Sequence, residues 1–91
     1  MNQKIIIEAL SMDLKRVALG LQRGSLKMAK RFKEEALERE KELEKQELND
    51  YLKKLVKKSK RILLGKDEKM AEDALMYSTL FQNFAQKYFK L

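Results

Sequence analysis

Apolar residues step by three and four along two stretches of this chain, and no proline interrupts either. From Ile7 the first line runs through Leu10, Leu14, Val17, Leu21, Gly24 and Met28, and Phe32 extends it by one more step. From Met70 the second runs through Ala74, Tyr77, Phe81, Phe84 and Tyr88. Steps of this size gather side chains into one stripe of an α-helix, and each stripe needs a helical partner to cover it. A strand would scatter the same residues over both of its faces. The fold class that follows is all-α, with residues 1–91 as a single helical domain. The chain is short enough for self-association to be an expected source of added stability.

The stretch "ALGLQRGSLKMAKRF", residues 18–32, decides how the helices are joined. A further line, Ile5, Met12, Leu19 and Leu26, repeats every seven residues on another face. Both lines keep their phase across Gly20 and Gly24. That agreement predicts one continuous helix from about Asn2 to Gln46, on the order of 65 Å long. Its two glycines cost about 1 kcal/mol each relative to alanine. The expected return is close approach of a neighbouring helix, with Phe81 and Phe84 as the bulky partners. The alternative is a stop at Gly24 and a restart at Ser25, a good N-cap residue. Against it, Met28 stands where a capping box wants Glu or Gln. The expectation is therefore a long N-terminal helix packed by two shorter ones in a three-helix, coiled-coil-like arrangement. A turn at Gly24 would instead give a four-helix bundle. A long helix covered by two partners leaves part of each seam open, which predicts a homodimer.

After Phe32, "KEEALEREKELEKQELND" reads as a solvated helix with pairs such as Glu35–Arg39. Asn49 or Asp50 caps the next helix, "YLKKLVKKSKRILLG", and Gly65 stops it. Asp67 is the expected cap of the last helix, with Glu68 in its first turn.

Charge is segregated. Residues 1–32 carry seven basic and two acidic groups, 33–50 four and eight, 51–66 seven and none, and 67–91 three and four. The net charge is +7. Lys53, Lys54, Lys57, Lys58, Lys60 and Arg61 lie opposite the apolar face of their helix, formed by Tyr51, Leu52, Leu55, Val56, Ile62 and Leu63. Clustered cations suit phosphate contacts, and the preponderance of lysine favours point-charge binding over bidentate base reading. Arg16, Arg23 and Lys27 add to that surface. The competing expectation is that the basic helix folds against the acidic block and is partly neutralised there. A basic amphipathic helix also fits a membrane surface, but this one is expected to belong to the core.

Parts for catalysis are missing. Histidine and cysteine are absent, which removes the usual general base, the commonest metal ligand and any thiolate chemistry. No phosphate-binding glycine loop or Glu-x-x-His pair occurs, so neither cofactor nor metal is expected. Asp13 reads as an acid at a seam edge, paired with Arg16. The aromatic line 77–88 reads mainly as core, with a base-stacking platform as its sharper alternative. "MNQKIIIEALSMDLKR" is interrupted by Glu8 and Asp13 and does not resemble a secretory signal, so a cytoplasmic location is expected. Two functional expectations result. The first is a self-associating protein-interaction or regulatory module with an unidentified protein partner. The second is a non-specific nucleic-acid-binding protein working through Lys53 to Arg61. Neither is an enzyme.

Overall fold

A computed structural model describes residues 2–66 and 68–89. The protein is an all-α bundle of four helices: α1 (Gln3–Gln22), α2 (Leu26–Glu44), α3 (Asp50–Leu64) and α4 (Met70–Tyr88). Helix α1 packs along α2 on one side and α4 on the other, and α3 closes the arrangement against α2 and α4. The molecule measures 39 × 22 × 21 Å.

The expected continuous helix through Gly24 is not formed. Helix α1 ends at Gln22, and Gly24 takes φ +72°, a left-handed conformation. The Ser25 N–H donates to the Gly20 carbonyl at 2.8 Å, and the Gly24 N–H donates to the Leu21 carbonyl at 3.2 Å. These two bonds form a Schellman stop. Ser25 then starts α2, its Oγ accepting from the Met28 N–H at 3.3 Å. A capping box is therefore unnecessary, because one serine both completes the stop and caps the restart. The open seam behind the homodimer expectation goes with the long helix, since α2 folds back and covers α1.

The two glycines have different tasks. A Cβ on Gly20 would lie 2.8 Å from the Ala29 backbone nitrogen, so this glycine lets α1 and α2 touch backbone to backbone. A Cβ on Gly24 would meet nothing within 4 Å. Neither glycine seats an aromatic ring of α4. Phe81 is fully buried in the common core, and Phe84 is buried nearer the end of the bundle.

The stripe of α1 packs as its spacing indicates, with Ile7, Leu10, Leu14 and Val17 buried. In α2 the buried positions are Ala29, Ala36, Glu40 and Leu43, one residue out of phase with a stripe continued through Met28. The line Ile5, Met12, Leu19 and Leu26 is not a packed face: Leu26 is 74% exposed. Helix α3 starts as expected, with Asn49 Oδ1 accepting from the Leu52 N–H at 2.8 Å. Gly65 ends it in an extended rather than a left-handed conformation. Asp67, the expected cap of the last helix, lies outside the described residues. Glu68 precedes α4 rather than standing in its first turn, whose acids are Glu72 and Asp73, and Lys69 holds the N-cap position without a side-chain cap bond.

Where α1 crosses α4, small residues meet. Ser11 Oγ donates to the Ser78 carbonyl at 2.7 Å, and Ser78 Oγ donates to the Ser11 carbonyl at 2.7 Å. Both serines are buried. Each hydroxyl satisfies itself on the other helix, which fixes the register of the crossing. Ser11→Ala is expected to cost about 1 kcal/mol, read by urea denaturation. A variant as stable as the parent would show that the reciprocal pair contributes nothing.

Candidate nucleic-acid interface

The geometry of α3 decides how its cations are used. Its apolar side places Leu52, Leu55, Val56, Ser59 and Leu63 in the core. On the remaining surface Lys53, Lys57 and Lys60 form one row, and Lys54, Lys58 and Arg61 a second. Within a row, successive members are three or four residues apart, or about 4.5–6 Å of helix rise. Lys53, Lys54, Lys57, Lys58 and Arg61 are exposed. Lys60 is half-buried and pairs with Glu44 Oε1 at 3.1 Å. Among the described residues this is the ion pair that joins α2 to α3.

The acidic block points elsewhere. Glu34, Glu35 and Glu38 line a groove with Arg31 and Arg39, on a part of α2 that α3 does not cover. Arg31 reaches Glu35 and Arg39 reaches Glu42 along α2 itself, at 3.8 and 3.9 Å. The expected Glu35–Arg39 pair is not among these contacts. Of the eight acids in the block, Asp50 belongs to the first turn of α3 itself, and among the described residues Glu40 and Glu44 of α2 bond to α3. Hence the basic face of α3 stays largely open to solvent.

The other cations divide. Arg16 pairs with Asp13 Oδ1 at 3.8 Å and lies 5.2 Å from the centre of the Phe32 ring, so it is engaged within the fold. Arg23 and Lys27 are exposed at the α1–α2 turn. That turn lies at the end of the bundle where α4 begins, because Lys30 and Lys33 share a shallow groove with Met70.

Two buried carboxylates complete the electrostatics. Asp13 is buried, with Arg16 and Arg39 each 3.8 Å from its oxygens. Burial, reinforced by the nearby charge of Glu35, raises its pKa to about 6 against the lowering pull of the arginines. Glu40 is fully buried on α2 and accepts a short hydrogen bond from Ser59 Oγ of α3. Burial raises its pKa to about 7, more than the Ser59 hydroxyl lowers it. One oxygen of each acid, Asp13 Oδ2 and Glu40 Oε1, has no hydrogen-bond partner among the described residues. Asp13 stands out in the sequence as an acid beside an apolar line. Glu40 does not, although it occupies the core position between Ala36 and Leu43.

The aromatic line of α4 is partly core and partly surface. Tyr77, Phe81 and Phe84 are buried, whereas Tyr88 is 57% exposed. Tyr51, at the start of α3, is 52% exposed rather than part of the core. Its ring stacks on Phe84 at 5.9 Å, and Phe84 stacks on Tyr88 at 4.9 Å. Among the described residues no group of three or more acids assembles a metal site. No described helix is long and apolar enough to cross a membrane. Compared with protein-family models, curated proteins and solved structures, the chain has no match in any of the three.

Proposed function

We propose that the protein is a non-enzymatic binding module that holds nucleic acid through the basic face of α3, with little preference for sequence. The observation that carries this reading is the open row geometry: five of the six cations between Lys53 and Arg61 are exposed and, among the described residues, outside the ion pairs of the fold. Phosphate binding of this kind releases counterions and weakens steeply with salt. Lysine-rich contacts give affinity without base reading. A cytoplasmic setting goes with this proposal.

Fluorescence anisotropy with a labelled random duplex and an RNA strand tests it. Affinity is expected to fall by tenfold or more between about 50 and 200 mM salt. Lys57→Glu with Lys58→Glu is expected to lower binding at least tenfold and to make the salt dependence shallower by about two phosphate contacts, with helicity unchanged. Absence of binding at low salt overturns the proposal.

A second reading, a protein-interaction or regulatory module that self-associates, is favoured by apolar side chains standing in solvent. Leu26 is 74% and Leu64 61% exposed, at the end of the bundle that holds the α1–α2 and α3–α4 turns. Sedimentation across a concentration series separates the two, because the second reading requires a concentration-dependent oligomer.

A further inference from the structure

Tyr51 and Tyr88 each stack on Phe84, with interplanar angles of 26° and 14°. Phe84 is buried, so one face of each tyrosine is used against it. The exposed half of each tyrosine is accordingly its outer face and edge. Phe89 lies beside the Phe84–Tyr88 pair, nearly perpendicular to both rings at 6.2 and 5.1 Å, and fixes Tyr88 from the side. The rings border a groove of about 540 Å³ between the start of α3 and the end of α4, lined also by Leu80, Asn83 and Lys87. This volume is within the range of small-ligand sites.

The groove adjoins the cations already described. Lys54 and Lys58 follow Tyr51 by three and seven residues, so all three share one side of α3. Lys87 stands on the opposite wall. Flat exposed rings, one amide and three flanking ammonium groups form a surface complementary to a planar base between two phosphates. An apolar protein helix would leave the amide and the lysine row unmatched, and an anionic lipid surface would match the lysines but offers no planar ring to stack on the tyrosines.

We propose that this groove seats an unpaired base of a single-stranded nucleic acid. The base stacks on the outer face of Tyr51 or Tyr88, Asn83 meets its edge, and Lys54, Lys58 and Lys87 hold the adjoining phosphates. The inference rests on the nucleic-acid reading above and adds a preference for single strands, since a duplex keeps its bases stacked and out of reach.

The test uses the full chain, a labelled deoxythymidine oligomer, the same oligomer with an abasic centre, and a duplex. The chain has no tryptophan, so its three tyrosines can be observed directly by fluorescence. Quenching of tyrosine emission is expected with the oligomer and not with the duplex. Tyr51→Leu with Tyr88→Leu keeps apolar bulk over Phe84 and is expected to lower oligomer affinity tenfold or more, leaving duplex affinity unchanged. Circular dichroism confirms that the variant is folded. The abasic oligomer is expected to bind the unaltered protein about as weakly as the intact oligomer binds the variant. Equal losses for oligomer and duplex, or no loss in a folded variant, overturn the stacking site while leaving the basic face standing. Failure of the unaltered protein to bind any of the three probes at low salt overturns the basic-face reading and the stacking site with it.

Discussion

Gly20→Ala is expected to destabilise the protein by about 2 kcal/mol, against the ordinary benefit of replacing a helical glycine. In an exposed helix interior the same change is favourable by about 1 kcal/mol, because alanine loses less backbone freedom on folding. Here the added methyl would stand 2.8 Å from the Ala29 nitrogen and 3.1 Å from its Cα. Those are backbone atoms, and no rotamer change moves them away. Helix α2 has to shift bodily, which opens the contacts of Val17 and Ala36 in the same seam. Overpacking of this kind costs about 3 kcal/mol, which outweighs the propensity gain. For a domain of this length the net change lowers the melting temperature by roughly 10 °C. Gly24→Ala acts through a different cause. Nothing crowds position 24, but the left-handed φ costs an alanine about 1 kcal/mol. Gly24→Asn recovers part of that loss, since asparagine tolerates the left-handed region. Thermal unfolding of the three variants separates the causes. A stabilised Gly20→Ala would show that α1 and α2 do not touch there.

The same contact explains which parts of the fold could be read in advance. Helix α3 has clear punctuation, an Asn49 cap and a Gly65 stop, and bulky residues mark the buried sides of α3 and α4. The join of α1 to α2 lacks such marks. Counting large apolar residues carries the stripe of α1 through Met28 and assigns Leu26 a place in a second line. The packed face of α2 is instead built on Ala29 and Ala36, because Gly20 brings the two backbones too close for larger side chains. A seam of small residues is nearly invisible to a hydrophobic count. Its core also contains Glu40, which reads in the sequence as one more charge on a solvated helix. At the candidate site the cations of α3 were legible, because a helix carries its own periodicity. The meeting of Tyr51 with Tyr88 was not, since it depends on how α3 and α4 are set side by side.

Glu40 is expected to make the stability of the protein fall as the solution becomes more alkaline. Its pKa is about 7 in the folded chain and 4.5 in the ordinary state, so folding takes up a proton between those values. The stability it contributes is fully present below pH 4.5 and is lost as pH rises through 7. The shift corresponds to roughly 3 kcal/mol between the two limits. Asp13 acts in the same direction between its ordinary 3.8 and about 6. Most domains gain stability over this range as paired carboxylates ionise. Here two acids sit in the packed interior, and Glu40 Oε1 has no partner among the described residues. Glu40→Gln keeps an acceptor for the Ser59 hydroxyl and removes the charge. An unmatched amide N–H takes back about 1 kcal/mol, so the variant is more stable than the parent at pH 8 by about 2 kcal/mol. Near pH 4.5, where the parent acid is already neutral, the advantage disappears or reverses. Urea denaturation of both proteins from pH 4.5 to 8 reads the difference directly. The slope left in Glu40→Gln belongs to Asp13, and Asp13→Asn combined with it should flatten the profile further. Parallel profiles for parent and Glu40→Gln would mean that Glu40 reaches water in the folded protein. The contact between Glu40 and Ser59 would then be a surface contact, and α2 and α3 would not close over it.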